Sequence, residues 1–102
     1  MKKLQDKTAI ITGGSKGIGR SVCLSLSNAG ASVLILDVDK INGQNLVDEI
    51  LSNGNEASFY KMNVANENEW LTFIKFLKEK NILVDILINN AGIWLGKEIY
   101  DV

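Results

Sequence analysis

"TAIITGGSKGIGRSV", Thr8 to Val22, is the stretch that decides the fold. A β-rich run, Thr8 to Thr12, passes through Gly13 and Gly14 into a segment where Ile18, Val22, Leu26 and Ala29 recur at helical spacing. A turn without Cβ atoms lets a ligand come close to the backbone. A helix opening near Gly17 aims its unpaired N–H groups and the positive end of its dipole at the same place. Gly13, Ser15, Lys16, Gly17, Ile18 and Gly19 are therefore expected to seat a pyrophosphate. The competing reading of the glycines is that Gly13 and Gly14 only turn the chain while Gly19 packs helix on strand.

Outward from this turn the same alternation continues. Further β-rich runs lie at Ala31 to Leu36, Ala57 to Met62 and Val84 to Ile88. Between them, Ile41, Leu46, Val47, Ile50 and Leu51, and then Trp70, Phe73, Ile74 and Leu77, repeat with helical period. Gly30 and Gly54 stand where helices end, and Asn66 with Glu69 three residues on reads as a capping box. The order β-α-β-α-β-α-β requires a parallel sheet with right-handed crossovers. The near-continuous apolar runs "VLIL" and "DILI" fit strands covered on both faces. The expected fold is α/β, a Rossmann-type doubly wound parallel sheet with strand order 3-2-1-4, truncated after the fourth strand.

Composition sets the outer limits. The 102 residues suffice for one domain, and 46% hydrophobic with 23% charged residues is ordinary for a globular chain. A formal charge of −1 offers no footprint for nucleic acid or an anionic membrane. No apolar run approaches the roughly 18 residues of a membrane span, and the amino terminus lacks a signal-peptide pattern, so a cytoplasmic location is expected. There is no histidine and one cysteine, Cys23, which excludes an intrachain disulfide and histidine-based metal sites or triads; no metal is expected. Cys23, inside an apolar helical pattern, reads as buried filler rather than a reactive thiol.

The carboxyl ends of the other strands carry the remaining candidates. Asp37 ends the second strand, 18 positions after Gly19, close to the spacing at which an acid meets an adenosine ribose. Val38 follows it into the site. A carboxylate there accepts from the ribose hydroxyls and repels a 2′-phosphate, whereas Lys16 is a loosely held exposed cation; NAD is therefore expected over NADP. After the third strand, Asn63 can accept from an adenine amine and the Val64 N–H can donate to a ring nitrogen. The alternative for Asn63 is a plain turn amide. The fourth strand runs into "INNAGIW", where Asn89 and Asn90 can bond neighbouring backbone and Ala91 and Gly92 leave room for a ligand. Trp94 and Tyr100 read as cover for the sheet end.

Together, "TGGSKGIG" at Thr12 to Gly19, Asp37, "NV" at Asn63 and Val64, and "NNAG" at Asn89 to Gly92 resemble the classical short-chain dehydrogenase/reductase family over essentially the whole chain. The resemblance implies an NAD(P)-binding Rossmann domain, residues 1–102, forming the amino-terminal part of a longer oxidoreductase that interconverts an alcohol and a ketone. It also implies that the glycine segment carries the pyrophosphate, that Asp37 selects NAD, and that the "NNAG" turn steadies the sheet. Two departures are visible. The family has Asp where this chain has Asn63, and its catalytic serine and Tyr-x-x-x-Lys pair are not found: position 64, four after Tyr60, is Val, and the sequence stops before 104. No catalytic residue is assigned, and catalysis is not expected from these residues alone.

Two other readings stay open on the residues themselves. One is a complete, non-catalytic dinucleotide-binding module whose unpaired fourth strand would need a fifth strand or a homo-oligomeric partner. The other is a methyltransferase-like domain binding S-adenosylmethionine, which also has a glycine loop and a following acid but does not explain the "NNAG" turn.

Overall fold

The computed structural model describes residues 2–90. Seven elements follow in order: β1 (Thr8–Thr12), α1 (Gly17–Asn28), β2 (Ser32–Asp37), α2 (Lys40–Ser52), β3 (Ala57–Lys61), α3 (Glu67–Glu79) and β4 (Ile86–Asn89). The strands form one sheet in the order β3-β2-β1-β4, every pairing parallel, as the sequence predicts. Because strand side chains alternate faces, each central strand serves two cores. Ala9, Ile11, Val33 and Ile35 face Cys23 of α1 and Leu46, Val47 and Ile50 of α2. Ile10, Leu34 and Leu36 face Met62, Val64 and Phe73 on the other side. Phe73 anchors α3 there, with its ring centroid 4.8 Å from that of Tyr60 and 6.1 Å from that of Trp70. Burying one such aromatic contributes about 1.5–3 kcal/mol.

The fourth strand is shifted from its expected span. The β1–β4 ladder pairs Ala9 with Ile86 through Thr12 with Asn89. It opens at Asp85, whose N–H donates to the Thr8 carbonyl and whose carboxylate accepts from the Thr8 N–H. Leu83 and Val84 therefore precede the strand and are exposed. Of the helical apolar patterns, Leu51 and Ile74 are exposed as well, and the two most solvent-facing residues are Ile18 at 75% and Ile41 at 76%. Both sit in the first turn of their helix, which overhangs the carboxyl ends of the strands instead of the sheet.

Helix ends follow local chemistry. Asp39 accepts from the Asn42 N–H at 3.0 Å and Asn66 from the Glu69 N–H at 3.1 Å, capping α2 and α3. The capping box expected at α3 is half made. The Asn66 N–H is already donated to the Asn63 carbonyl, so the Glu69 carboxylate takes the Asn63 N–H at 3.0 Å instead. Gly30 and Gly54 follow the C-caps of α1 and α2, and Asn81 takes the same left-handed place after α3. Cys23 is fully buried, and desolvation pushes its thiol up to about 12, the inert packing role expected of it.

Gly43 marks the tightest helix–sheet approach. A Cβ there would lie 2.2 Å from Cε1 and 2.3 Å from Cδ1 of Phe59. Gly43→Ala is expected to lower stability by about 1–2 kcal/mol in urea denaturation, since overpacking outweighs the gain in helix propensity. Adding Phe59→Leu should recover part of the loss.

Candidate functional site

The turn after β1 gives its glycines separate tasks. Gly13 turns the chain at φ +61° and donates its N–H to the Leu36 carbonyl at 2.7 Å, tying the loop to β2. Gly14 is buried, and a Cβ on it would crowd Cys23 Sγ at 3.0 Å. Gly19 seats α1 on the loop: its Cβ would lie 2.2 Å from the Gly13 carbonyl oxygen and 2.6 Å from Asn90 Nδ2. Gly17, at φ +62°, has nothing within 4 Å of a built Cβ. Gly19 thus packs, as the competing reading expects, and Gly14 packs as well instead of only turning the chain, while Gly13 and Gly17 supply the left-handed turn positions.

The three helices differ at their starts. Asp39 caps α2 and Asn66 caps α3, but Lys16 gives α1 no side-chain cap. Among the described residues the first-turn N–H groups of Gly17, Ile18 and Gly19 therefore have no side-chain acceptor, an arrangement that favours an anion at the amino end of α1. Lys16 is exposed and makes no ion pair among the described residues.

Asp37 is more engaged than a bare strand-end acid. Its Oδ2 accepts from Ser15 Oγ at 2.5 Å and from the Ser15 N–H at 3.3 Å, while Oδ1 accepts from the Asp39 N–H at 3.2 Å. Ser15, 3% exposed, thus straps the glycine loop to the end of β2. An ionised carboxylate offers about four acceptor positions, so one remains for a ligand, on Oδ1.

Beside this strap lies a cavity of about 110 Å³ lined by Gly13, Leu36, Asp37, Val38, Met62, Asn63 and Val64. The sequence reading brings five of these together: Gly13, Asp37, Val38, Asn63 and Val64. A cavity of about 180 Å³ at Thr8, Ser32, Val33, Leu34, Ser58 and Ile82 opens at the amino ends of the strands. Ligands of open α/β sheets bind at the carboxyl ends, where the loop and Asp37 also are, so the smaller cavity is the candidate. There Val38 is 57% exposed, and the Val64 N–H makes no hydrogen bond among the described residues. Asn63 Oδ1 accepts from the Ala65 N–H at 2.9 Å, which makes it a turn amide and leaves one lone pair for a ligand.

Asn89 and Asn90 close the far side through Thr12. The Thr12 hydroxyl donates to Asn89 Oδ1 at 2.8 Å and accepts from the Asn90 N–H at 2.9 Å, and Asn90 Nδ2 reaches the Gly13 carbonyl at 3.4 Å. The Asn90 amide thus bonds neighbouring backbone, as expected of it, whereas that of Asn89 bonds the Thr12 side chain instead. Ala91, Gly92, Trp94 and Tyr100 lie outside the described residues. Sequence reasoning passed over Thr12, Asp39 and Trp70, whose Nε1–H donates to the Val64 carbonyl at 2.7 Å. Only Asp39 carried a signal, as an acid immediately before a helical pattern.

Among known protein families, residues 7–102 match the one described as short chain dehydrogenase. The chain belongs to that family. Among curated relatives, cyclopentanol dehydrogenase of a Comamonas species is 35% identical over 101 residues, covering 99% of this chain and 40% of its own length. The crystal structure of hydroxysteroid dehydrogenase from Escherichia coli superposes with a TM-score of 0.81 at 38% identity, covering 88% of this chain and 38% of that one. That of a metagenomic short-chain oxidoreductase in complex with NADP gives 0.83 at 28% identity, covering 88% and 41%. The chain spans about a third to two-fifths of the length of the curated relatives it matches. For this short-chain dehydrogenase, the nucleotide-binding Rossmann architecture is therefore established together with the family. Among the described residues no helix is long and apolar enough to cross a membrane.

Proposed function

We propose that the short-chain dehydrogenase carrying this chain is NAD-dependent, interconverts an alcohol and a ketone, and uses these residues to hold the adenosine diphosphate half of the cofactor. The observation that carries the reading is the junction of an uncapped α1 amino terminus with a loop free of side chains at Gly13 and Gly17, strapped by Ser15 to an acid at the ribose position. The donor set suits the cofactor: N–H groups for the diphosphate, the open Oδ1 position of Asp37 for a ribose hydroxyl, and Val38, Val64 and the Val64 N–H for adenine. When bound, NAD supplies the acceptor or donor of the hydride. The relatives named for cyclopentanol and a hydroxysteroid support an alcohol as the other partner.

One solved neighbour holds NADP, so the fold alone does not select NAD and the proposed choice rests on Asp37 and on the charge around it. Trp70, hydrogen-bonded to Val64, provides the reporter. Titration of the natural full-length protein is expected to give a saturable change in tryptophan fluorescence with NAD at a Kd at least tenfold below that for NADP. S-adenosylmethionine should give none. A preference for S-adenosylmethionine, or no response to either dinucleotide, would overturn the proposal.

A further inference from the structure

We infer that Asn53 is a site of spontaneous modification, converting to aspartate and isoaspartate through attack on its side-chain amide by the Gly54 backbone nitrogen. The inference does not depend on what the crevice binds. Asparagine precedes glycine at two places in the sequence, Asn42–Gly43 and Asn53–Gly54. A glycine leaves the attacking nitrogen unshielded, because no Cβ stands beside it. In an unfolded chain the two pairs are chemically alike, so the fold decides which one reacts.

The fold treats them oppositely. Asn42 lies in the first turn of α2, where its N–H and Nδ2 donate to the Asp39 carboxylate at 3.0 and 2.6 Å and the Gly43 N–H donates to the Asp39 carbonyl at 2.9 Å. Gly43 is buried against Phe59, which keeps its nitrogen from swinging toward the Asn42 side chain. Asn53, by contrast, is the exposed C-cap of α2, and its amide makes no hydrogen bond among the described residues. Gly54 is exposed too, at φ +81°, with nothing within 4 Å of a built Cβ. Its N–H is held by the Leu51 carbonyl at 3.0 Å, a bond at an exposed helix end, where local opening costs least.

In the reaction, Gly54 N bonds to Asn53 Cγ as the Cγ–Nδ2 bond breaks, and Nδ2 departs as ammonia with the Gly54 amide proton. Water then opens the cyclic imide at either carbonyl. Cleavage at Cγ leaves aspartate, and cleavage at the main-chain carbonyl leaves isoaspartate. Either product sets a carboxylate at the negative end of the α2 dipole, and isoaspartate also lengthens the backbone where α2 passes toward β3.

Incubation of the natural full-length protein at mildly alkaline pH, followed by peptide mapping with mass spectrometry, tests the inference. Asn53 is expected to convert about tenfold or more faster than Asn42, a ratio set by the additional hydrogen bonds that Asn42 must break. The Asn53 rate should rise with pH, because the nucleophile is the deprotonated amide. In urea the two rates should converge. Asp39→Ala, which removes both carboxylate bonds from Asn42, should speed conversion there and leave Asn53 unchanged, with a thermal melt showing that the fold is kept. Equal rates at the two sites in the folded protein, a faster Asn42, or an Asn53 that converts in urea but not when folded would overturn the inference.

Discussion

Gly19→Ala is expected to abolish dinucleotide binding and to lower stability by about 3 kcal/mol, measured by fluorescence titration and urea denaturation. The added methyl carbon would lie 2.2 Å from the Gly13 carbonyl oxygen, 2.6 Å from Asn90 Nδ2 and 2.9 Å from Gly14 Cα. Two of these are backbone atoms of the loop itself, so no rotamer change relieves the clash. Either α1 lifts away from the loop or the loop moves off β2, breaking the Gly13 N–H bond to Leu36 and the Ser15 strap on Asp37. Both movements dismantle the proposed diphosphate seat. Alanine's better helix propensity, about 1 kcal/mol, offsets only part of the cost. Gly17→Ala is the internal control: its Cβ meets nothing, so its cost, about 1–2 kcal/mol, is that of a left-handed φ alone. Equal losses at the two positions would show that the Gly19 contact is not what holds the loop.

The residues that were legible in the sequence are those whose role follows from backbone geometry. Two strictly local signals, the glycine turn and the helical period from Ile18 to Ala29, were enough to place β1 and α1, and three repeats of the pattern yielded the strand order now seen. Asp37, Asn63 and Val64 were found by their position at strand ends and do line one cavity. What escaped depends on contacts between distant segments. The Ser15 hydroxyl and Asp37 are 22 residues apart and Thr12 and Asn89 are 77 apart, and no periodicity announces such pairs. Ile18 and Ile41 misled for the opposite reason. Helical spacing records which face a residue occupies, not whether the sheet extends beneath that turn. The start of β4 escaped because the Asp85 bonds to Thr8 fix the register through a partner strand.

Asp37→Arg is expected to reverse the cofactor preference, shifting the ratio of the NADP Kd to the NAD Kd by about a hundredfold or more. The variant removes an acceptor for the ribose hydroxyl, a charge-assisted bond of about 1.5–3 kcal/mol, and replaces repulsion of the 2′-phosphate with a guanidinium able to bind it bidentately. The same change strips Ser15 Oγ, the Ser15 N–H and the Asp39 N–H of their shared acceptor. Affinity for both dinucleotides should therefore weaken through a loosened loop even as the ratio inverts, which makes the ratio the proper readout. Asp37→Asn separates the two effects, since an amide oxygen can still receive Ser15 while the charge is gone. Its ratio should shift less than that of the arginine variant, with the loop kept.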